Sequence, residues 1–187
     1  MRQPGERPAT YEDLVALPEN MVGQIIGGEL IAHPRPRSSH AYAATYLAGL
    51  SRSFGSSGGP GGWWILMEPE LALGGDILVP DLAGWRRERM PTMPDVPRFE
   101  LAPDWVCEIL SPSTTRVDRV LKRYAYARER VQFLWYVDPA VKVLEALQLR
   151  DGGWSDVGAW DGDARVRAAP FEAVELDLSE LWLPEGT

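Results

Sequence analysis

The apolar positions of this chain come in short runs punctuated by glycine and proline, and the runs carry two periods. Residues 10–17 (TYEDLVAL) have helical spacing, with Thr10 as N-cap, Asp13 three residues on, close to a capping box, and Pro18 as the stop. Residues 24–32 (QIIGGELIA) read as a hairpin, because Gly27-Gly28 between two apolar runs is a tight-turn signal. Residues 39–54 return to helical spacing, with Tyr42, Tyr46, Leu47 and Leu50 on one stripe. The glycine-rich stretch 55–62 is a loop by composition.

Strands are expected at about 63–73 and 78–85. The segment 86–103, with Pro91, Pro94, Pro97 and Pro103, reads as a mobile loop. The most apolar strand follows at 104–110 (DWVCEIL), then a helix at about 115–130 and strands at 132–138 and 141–149. A hairpin-like pair near 154–160 and 163–168 leads into a short acidic end. The order helix, strands, helix, strands predicts an α/β (mixed α+β) fold: a central mixed sheet flanked by helices, with extra hairpins on the N- and C-terminal sides. No repeat or linker divides the chain. One domain spanning 1–187 is expected, with its core at about 10–149 and an acidic extension at 150–187.

Composition narrows the function classes. The chain of 187 residues is 45% apolar and 25% charged, as in globular proteins. No apolar run is long enough to span a bilayer. The first ten residues lack an apolar signal core, so the expectation is against export and for a reduced, cytoplasmic setting. The single cysteine, Cys107, excludes an internal disulfide framework and a cysteine-rich zinc site.

Net charge is −8, but it is unevenly spread: residues 151–187 carry −7, leaving residues 1–150 at −1. Within the latter, 116–130 carries +4, so a locally basic helix could meet a phosphate backbone; a solvated helix face accounts for the charge equally well.

Two acids stand out against this pattern. Glu108 lies inside the apolar run 105–110, where a carboxylate is costly unless a metal ion, a cationic partner or a raised pKa compensates it. Asp81 follows Val79-Pro80 and precedes Leu82-Ala83, again in a strand context that disfavours Asp. If the two strands are neighbours, one explanation serves both. Paired carboxylates suit Mg²⁺ or Mn²⁺, which can activate water and stabilise charge on a phosphate. Lys122 is the candidate cation, on the helix after the Glu108 strand. Asp118 precedes it by four residues, and an ion pair on the helix surface is its plainer reading.

His33 and His40 are the only histidines, which argues against a zinc hydrolase. His40 opens a helix and could face a site, although a surface role at the helix end is the favoured reading. Cys107 adjoins Glu108, so the pleat turns it to the opposite face, into the core. Ser111 and Ser113 lack a nucleophile elbow, and the glycine loop lacks the lysine ending of a phosphate loop. The eight tryptophans read mostly as core, with Trp63 and Trp64 as candidates for exposure.

Pro80-Asp81, then Glu108-Ile109-Leu110-Ser111-Pro112-Ser113-Thr114, then Asp118, Lys122 and Tyr124-Ala125, then 135–139 (WYVDP) resemble the Uma-type putative restriction endonuclease family of the PD-(D/E)XK nuclease superfamily. Residues 11–14, Leu17-Pro18, Gly28-Glu29-Leu30 and Pro36…Ser39-His40 match in order, and the resemblance covers about 10–145. It implies a restriction-endonuclease-like core with Mg²⁺ (or Mn²⁺) held by Asp81 and Glu108. The superfamily lysine, expected two residues after the strand acid, is Leu110 here, and the resemblance implies that Lys122 substitutes for it. The family's acids before and within the first hairpin are replaced by Gln24 and Gly27.

The resulting expectation is Mg²⁺-dependent hydrolysis of DNA. Asp81, Glu108 and Lys122 are the catalytic residues, Asp81 and Glu108 the metal ligands, and Glu29, His40, Glu68, Ser111 and Asp118 site neighbours. Arg116, Arg119 and Arg123 are expected at phosphates, and a homodimer follows by analogy. The rivals are a catalytically degenerate nuclease fold acting as a binding or structural module, and a carboxylate-pair glycoside hydrolase.

Overall fold

The computed structural model describes residues 7–55 and 60–184. The reading of the first residues, part of the glycine loop (56–59) and the final Glu185 lie outside the described residues.

The chain enters through a one-turn helix α1 (Tyr11–Val15), whose start is held by the Asp13 carboxylate accepting the Thr10 backbone N–H at 2.8 Å. The hairpin follows as β1 (Met21–Ile26) and β2 (Glu29–Pro34), with Gly27 and Gly28 both at positive φ, the conformation the turn requires. The expected helix at 39–54 is two helices, α2 (Ser38–Ala48) and α3 (Leu50–Gly55), broken at Gly49. Its buried stripe is Ala43, Ala44, Leu47, Leu50 and Phe54, while the tyrosines lie half-buried at its flank.

The strand expected at 63–73 is also two elements. β3 (Trp63–Met67) and β4 (Leu71–Leu73) are separated by Glu68-Pro69 and belong to different sheets. β5 (Asp76–Leu78) pairs with β4 across Gly74-Gly75, and the chain then crosses at Val79-Pro80 into β6 (Leu82–Arg86). The proline-rich segment 86–103 has little regular structure but is anchored. Met90 and Phe99 are buried, Trp64 donates to the Met90 carbonyl, and Arg89 pairs with Asp104 at 2.9 Å.

β7 (Trp105–Ile109) is buried throughout. A helix running into α4 (Arg123–Arg128), wound as a π-helix over Val117–Lys122, crosses to β8 (Phe133–Asp138), which lies parallel to β7. β9 (Val143–Arg150) and β10 (Gly153–Asp161) continue antiparallel. The hairpin expected between 154–160 and 163–168 does not form: β10 pairs with β9, and β11 (Arg165–Val166) pairs with β12 (Leu176–Asp177).

The result is a six-stranded mixed sheet ordered β10-β9-β8-β7-β6-β3 and a four-stranded sheet ordered β2-β1-β5-β4. Alternation along β7 feeds two cores. Trp105, Cys107 and Ile109 face α2, α3 and the C-terminal residues; Val106 and Leu110 face α4 and the smaller sheet. Trp63 is buried and Trp64 is half-buried beneath Arg87, so neither is the exposed aromatic their position suggested. No helix among the described residues is long and apolar enough to cross a membrane.

Candidate active site

The site forms where the chain passes from one sheet to the other. Pro80 has no N–H to offer a ladder, and Val79 before it is held at both of its backbone polar groups. Gln24, buried in β1, accepts the Val79 N–H on its side-chain oxygen at 2.9 Å. The Val79 carbonyl accepts from Lys122 Nζ at 3.1 Å. Antiparallel register pairs Leu82 with Cys107, and continuing it one step sets Asp81 beside Glu108. Asp81 Oδ2 accepts the Ile109 N–H at 2.6 Å, so the carboxylate takes the place of a ladder carbonyl. Its Oδ1 lies 3.0 Å from His40 Nε2.

Glu108 points to the α4 side, as its parity with Val106 requires. It is 1% exposed, with Oε2 at 2.8 Å from Lys122 Nζ and Oε1 accepting from the Tyr126 hydroxyl at 2.5 Å. Asp118 Oδ1 lies 3.2 Å from Lys122 Nζ. Asp118 and Lys122 are each 3% exposed, so their pair is not the surface ion pair that the sequence favoured. The π-helical winding and the α-turn after it bring Asp118, Lys122 and Tyr126 onto one face over Glu108. Lys122 thus reaches back over the sheet from the following helix.

Burial pushes the Glu108 carboxyl up to about 8; Lys122 opposes this, while Asp118 and Asp81 add to it. Burial works against the Lys122 ammonium, but Glu108 and Asp118 outweigh it and hold the lysine charged. For His40, burial opposes the charged form, yet the hydrogen bond and charge of Asp81 raise its pKa overall. Burial lifts the Cys107 thiol well above its ordinary range, consistent with a core residue.

A cleft of about 510 Å³ opens at the site. Asp81, Glu108, Lys122, Asp118, His40, Glu68 and Ser111 all border it. Glu29 does not: it sits beside the hairpin turn opposite Ile26. His40 is buried at the cleft with its Nδ1 unpartnered, contrary to the surface role favoured for it. The basic helix also diverges from expectation. Arg119 and Arg123 border a different groove with Glu145 and Asp156, and Arg119 is paired to Glu145 at 2.8 Å. Arg116 is absent from the cleft lining.

Sequence reasoning missed the hydroxyl of Tyr126 and the anchoring role of Gln24. It also missed the cleft wall at 33–37, which holds Arg35 and Arg37. Only Tyr126 left a signal, four residues after Lys122.

Among the described residues no group of three or more His, Cys, Asp or Glu side chains is arranged to hold a metal. The donor chemistry fits a hard divalent cation all the same. Mg²⁺ is commonly held by one or two carboxylates, with water and substrate oxygens completing its shell, and Asp81 and Glu108 offer such a pair. Glu108 and Asp118 both contact Lys122, and Asp81 borders the same cleft, so the carboxyl oxygens such an ion takes are gathered here.

The model of the Uma2 family, described as a putative restriction endonuclease, matches residues 9–179. The chain is similar in fold to a solved structure described as a putative nuclease belonging to DUF820 from Anabaena variabilis ATCC 29413. The TM-score is 0.75 at 21% identity, covering 94% of this chain and 98% of that one. No curated protein matches the chain.

Proposed function

We propose that this chain, which belongs to the Uma2 family, is a divalent-metal-dependent endonuclease that hydrolyses phosphodiester bonds of DNA. The observation that carries the reading is the seat of Lys122 Nζ, 2.8 Å from Glu108 and 3.2 Å from Asp118, on the floor of a cleft that Asp81 also lines.

Asp81 and Glu108 would hold Mg²⁺ or Mn²⁺. Such an ion supplies Lewis-acid stabilisation of the phosphate and lowers the pKa of water. The chain's own residues do the rest. His40 and the Ile109 N–H fix both oxygens of Asp81, so its carboxylate is oriented before anything binds. Tyr126 holds Glu108 from the opposite side. All three Lys122 donors are engaged, and the contact to Asp118 is the longest. Releasing it frees one N–H for a phosphate oxygen, where charge develops in the transition state.

One observation favours a second reading. Both Glu108 oxygens are already satisfied, as they would be in a structural buried pair of a non-catalytic member of the fold. The glycoside hydrolase reading loses its support, because no tryptophan borders the cleft to stack against a sugar.

The deciding experiment combines calorimetric titration of Mg²⁺ and Mn²⁺ with plasmid nicking, on wild type and Asp81→Asn. The nuclease reading expects binding and nicking in the wild type and neither in the variant. Wild type that binds no metal would move the assignment to the non-catalytic reading. A homodimer acting in the cytoplasm belongs to the same proposal, since a palindromic site needs two-fold symmetry; sedimentation equilibrium reads the stoichiometry.

A further inference from the structure

We infer that residues 33–37 form the wall that grips the substrate's sugar-phosphate backbone, with Arg37 and Arg35 as its phosphate contacts. The inference rests on the proposed function and deepens it.

The cleft carries three carboxyl groups, those of Asp81, Glu108 and Asp118, the last two in contact with Lys122. A polyanion approaches such a cleft only if a wall supplies compensating positive charge. The helix 116–130, the most basic stretch of the sequence, does not supply it: Arg119 and Arg123 open onto the other groove, beside Glu145 and Asp156. The arginines that share the cleft with the acids are Arg35 and Arg37. Both are exposed.

Among the described residues neither arginine has an ion-pair partner. Among the described residues the Arg35 guanidinium donates only to the Glu19 backbone carbonyl, at 3.1 and 3.3 Å, which steers it without cancelling its charge. Among the described residues the Arg37 side chain has no ion pair or hydrogen bond.

The wall is also pre-set. Pro34 and Pro36 fix their own φ and bias His33 and Arg35 toward extended backbone. The Arg35 N–H is tied to the Asn20 carbonyl at 3.3 Å, and Arg37 holds extended geometry as the N-cap of α2. Two guanidiniums on a stiff extended segment can each address a backbone phosphate through a planar fork of donors.

The test measures binding by fluorescence anisotropy, using a labelled DNA duplex in EDTA across a range of salt concentrations, so that no turnover is involved. Wild type is compared with Arg37→Ala, with Arg35→Ala/Arg37→Ala and with Arg123→Ala; circular dichroism melts verify folding. Each lost phosphate contact is expected to lower the slope of log K against log salt by about 1, so the double variant loses about 2 and binds weakly. Arg123→Ala is expected to keep the wild-type slope. A wild-type slope in both Arg37 variants, or no binding by the wild type, overturns the inference. Wild type that binds through these arginines but fails to nick in Mg²⁺ would refute the nuclease reading and leave this one standing.

Discussion

At the scale of single residues, the site is a negotiation among buried charges, and Glu108 holds the least comfortable place in it. Its carboxyl is pushed up to about 8, mainly by burial, against about 4.3 in an unfolded chain. Between those values the folded protein keeps a proton that the unfolded chain releases. The stability Glu108 contributes is therefore complete at low pH and is lost as pH rises toward 8, at up to about 1.4 kcal/mol per unit. Glu108→Gln removes that titration. Its melting temperature is expected to vary less than wild type's between pH 5 and 8 and to exceed it at pH 9. Differential scanning calorimetry across that range reads the effect, and an unchanged slope would mean another group carries the proton.

His40 offers a separate residue-scale test. Its N–H orients Asp81, and losing such an outer partner typically costs about 10–100-fold in metal affinity. His40→Ala should show that loss in a Mn²⁺ titration, while His40→Gln, which restores a donor, should recover most of it. Equal weakening in the two variants would assign His40 a packing role only. The sequence exposed Glu108 and Asp81 because a carboxylate in an apolar strand needs compensation. It could not expose the His40 contact, because no spacing rule connects a helix start to a strand entry 41 residues later.

At the scale of elements, boundaries were legible where chemistry is local. The Thr10 start, the Gly27-Gly28 turn and the β7 run all lie where residue type dictates backbone geometry. Misreadings arose where the long-range partner decides: 63–73 looks like one strand, yet Glu68-Pro69 diverts its second half into another sheet.

Asp76 ties the smaller sheet to the helix. It is 4% exposed, accepts the Gly27 N–H at 2.7 Å and pairs with Arg128 at 2.9 Å. One carboxylate thus joins the hairpin turn, β5 and α4. It also answers the turn's N–H from outside the turn. Asp76→Ala leaves that N–H without its acceptor and is expected to cost about 2–3 kcal/mol. Asp76→Asn keeps an acceptor oxygen and should lose less. Denaturant unfolding compares the two, and equal midpoints would show that the charge pair with Arg128 carries the whole effect.

At the scale of the whole molecule, the C-terminal residues change the reading of the sequence most. Their acidity suggested an appendage, but the charge sits on the outward positions while Val166, Ala168, Phe171, Leu176, Leu178, Leu181 and Trp182 are buried in the core shared with α2 and α3. Phe171 is its centre, with ring centroids 4.7 Å from Phe54, 5.0 Å from Trp63, 4.9 Å from Trp105 and 5.5 Å from Trp135. Trp105 and Trp135 stand on the two parallel strands of the sheet, and Trp105 lies three residues before Glu108 on the same strand. The aromatic cluster therefore braces the back of the strand whose front carries the site. Phe171→Ala opens a cavity among rings held by their own strands, which limits collapse, so a cost of about 3–5 kcal/mol is expected. For a domain of this size that lowers the melting temperature by roughly 6–20 °C. Because the cavity lies on the face away from Glu108 and Lys122, metal affinity measured well below the melting temperature should stay within a few-fold of wild type. A variant that melts early but binds metal normally would show that the two faces of the sheet carry separate duties. Loss of metal binding in a folded Phe171→Ala would show instead that the site depends on the cluster for its geometry.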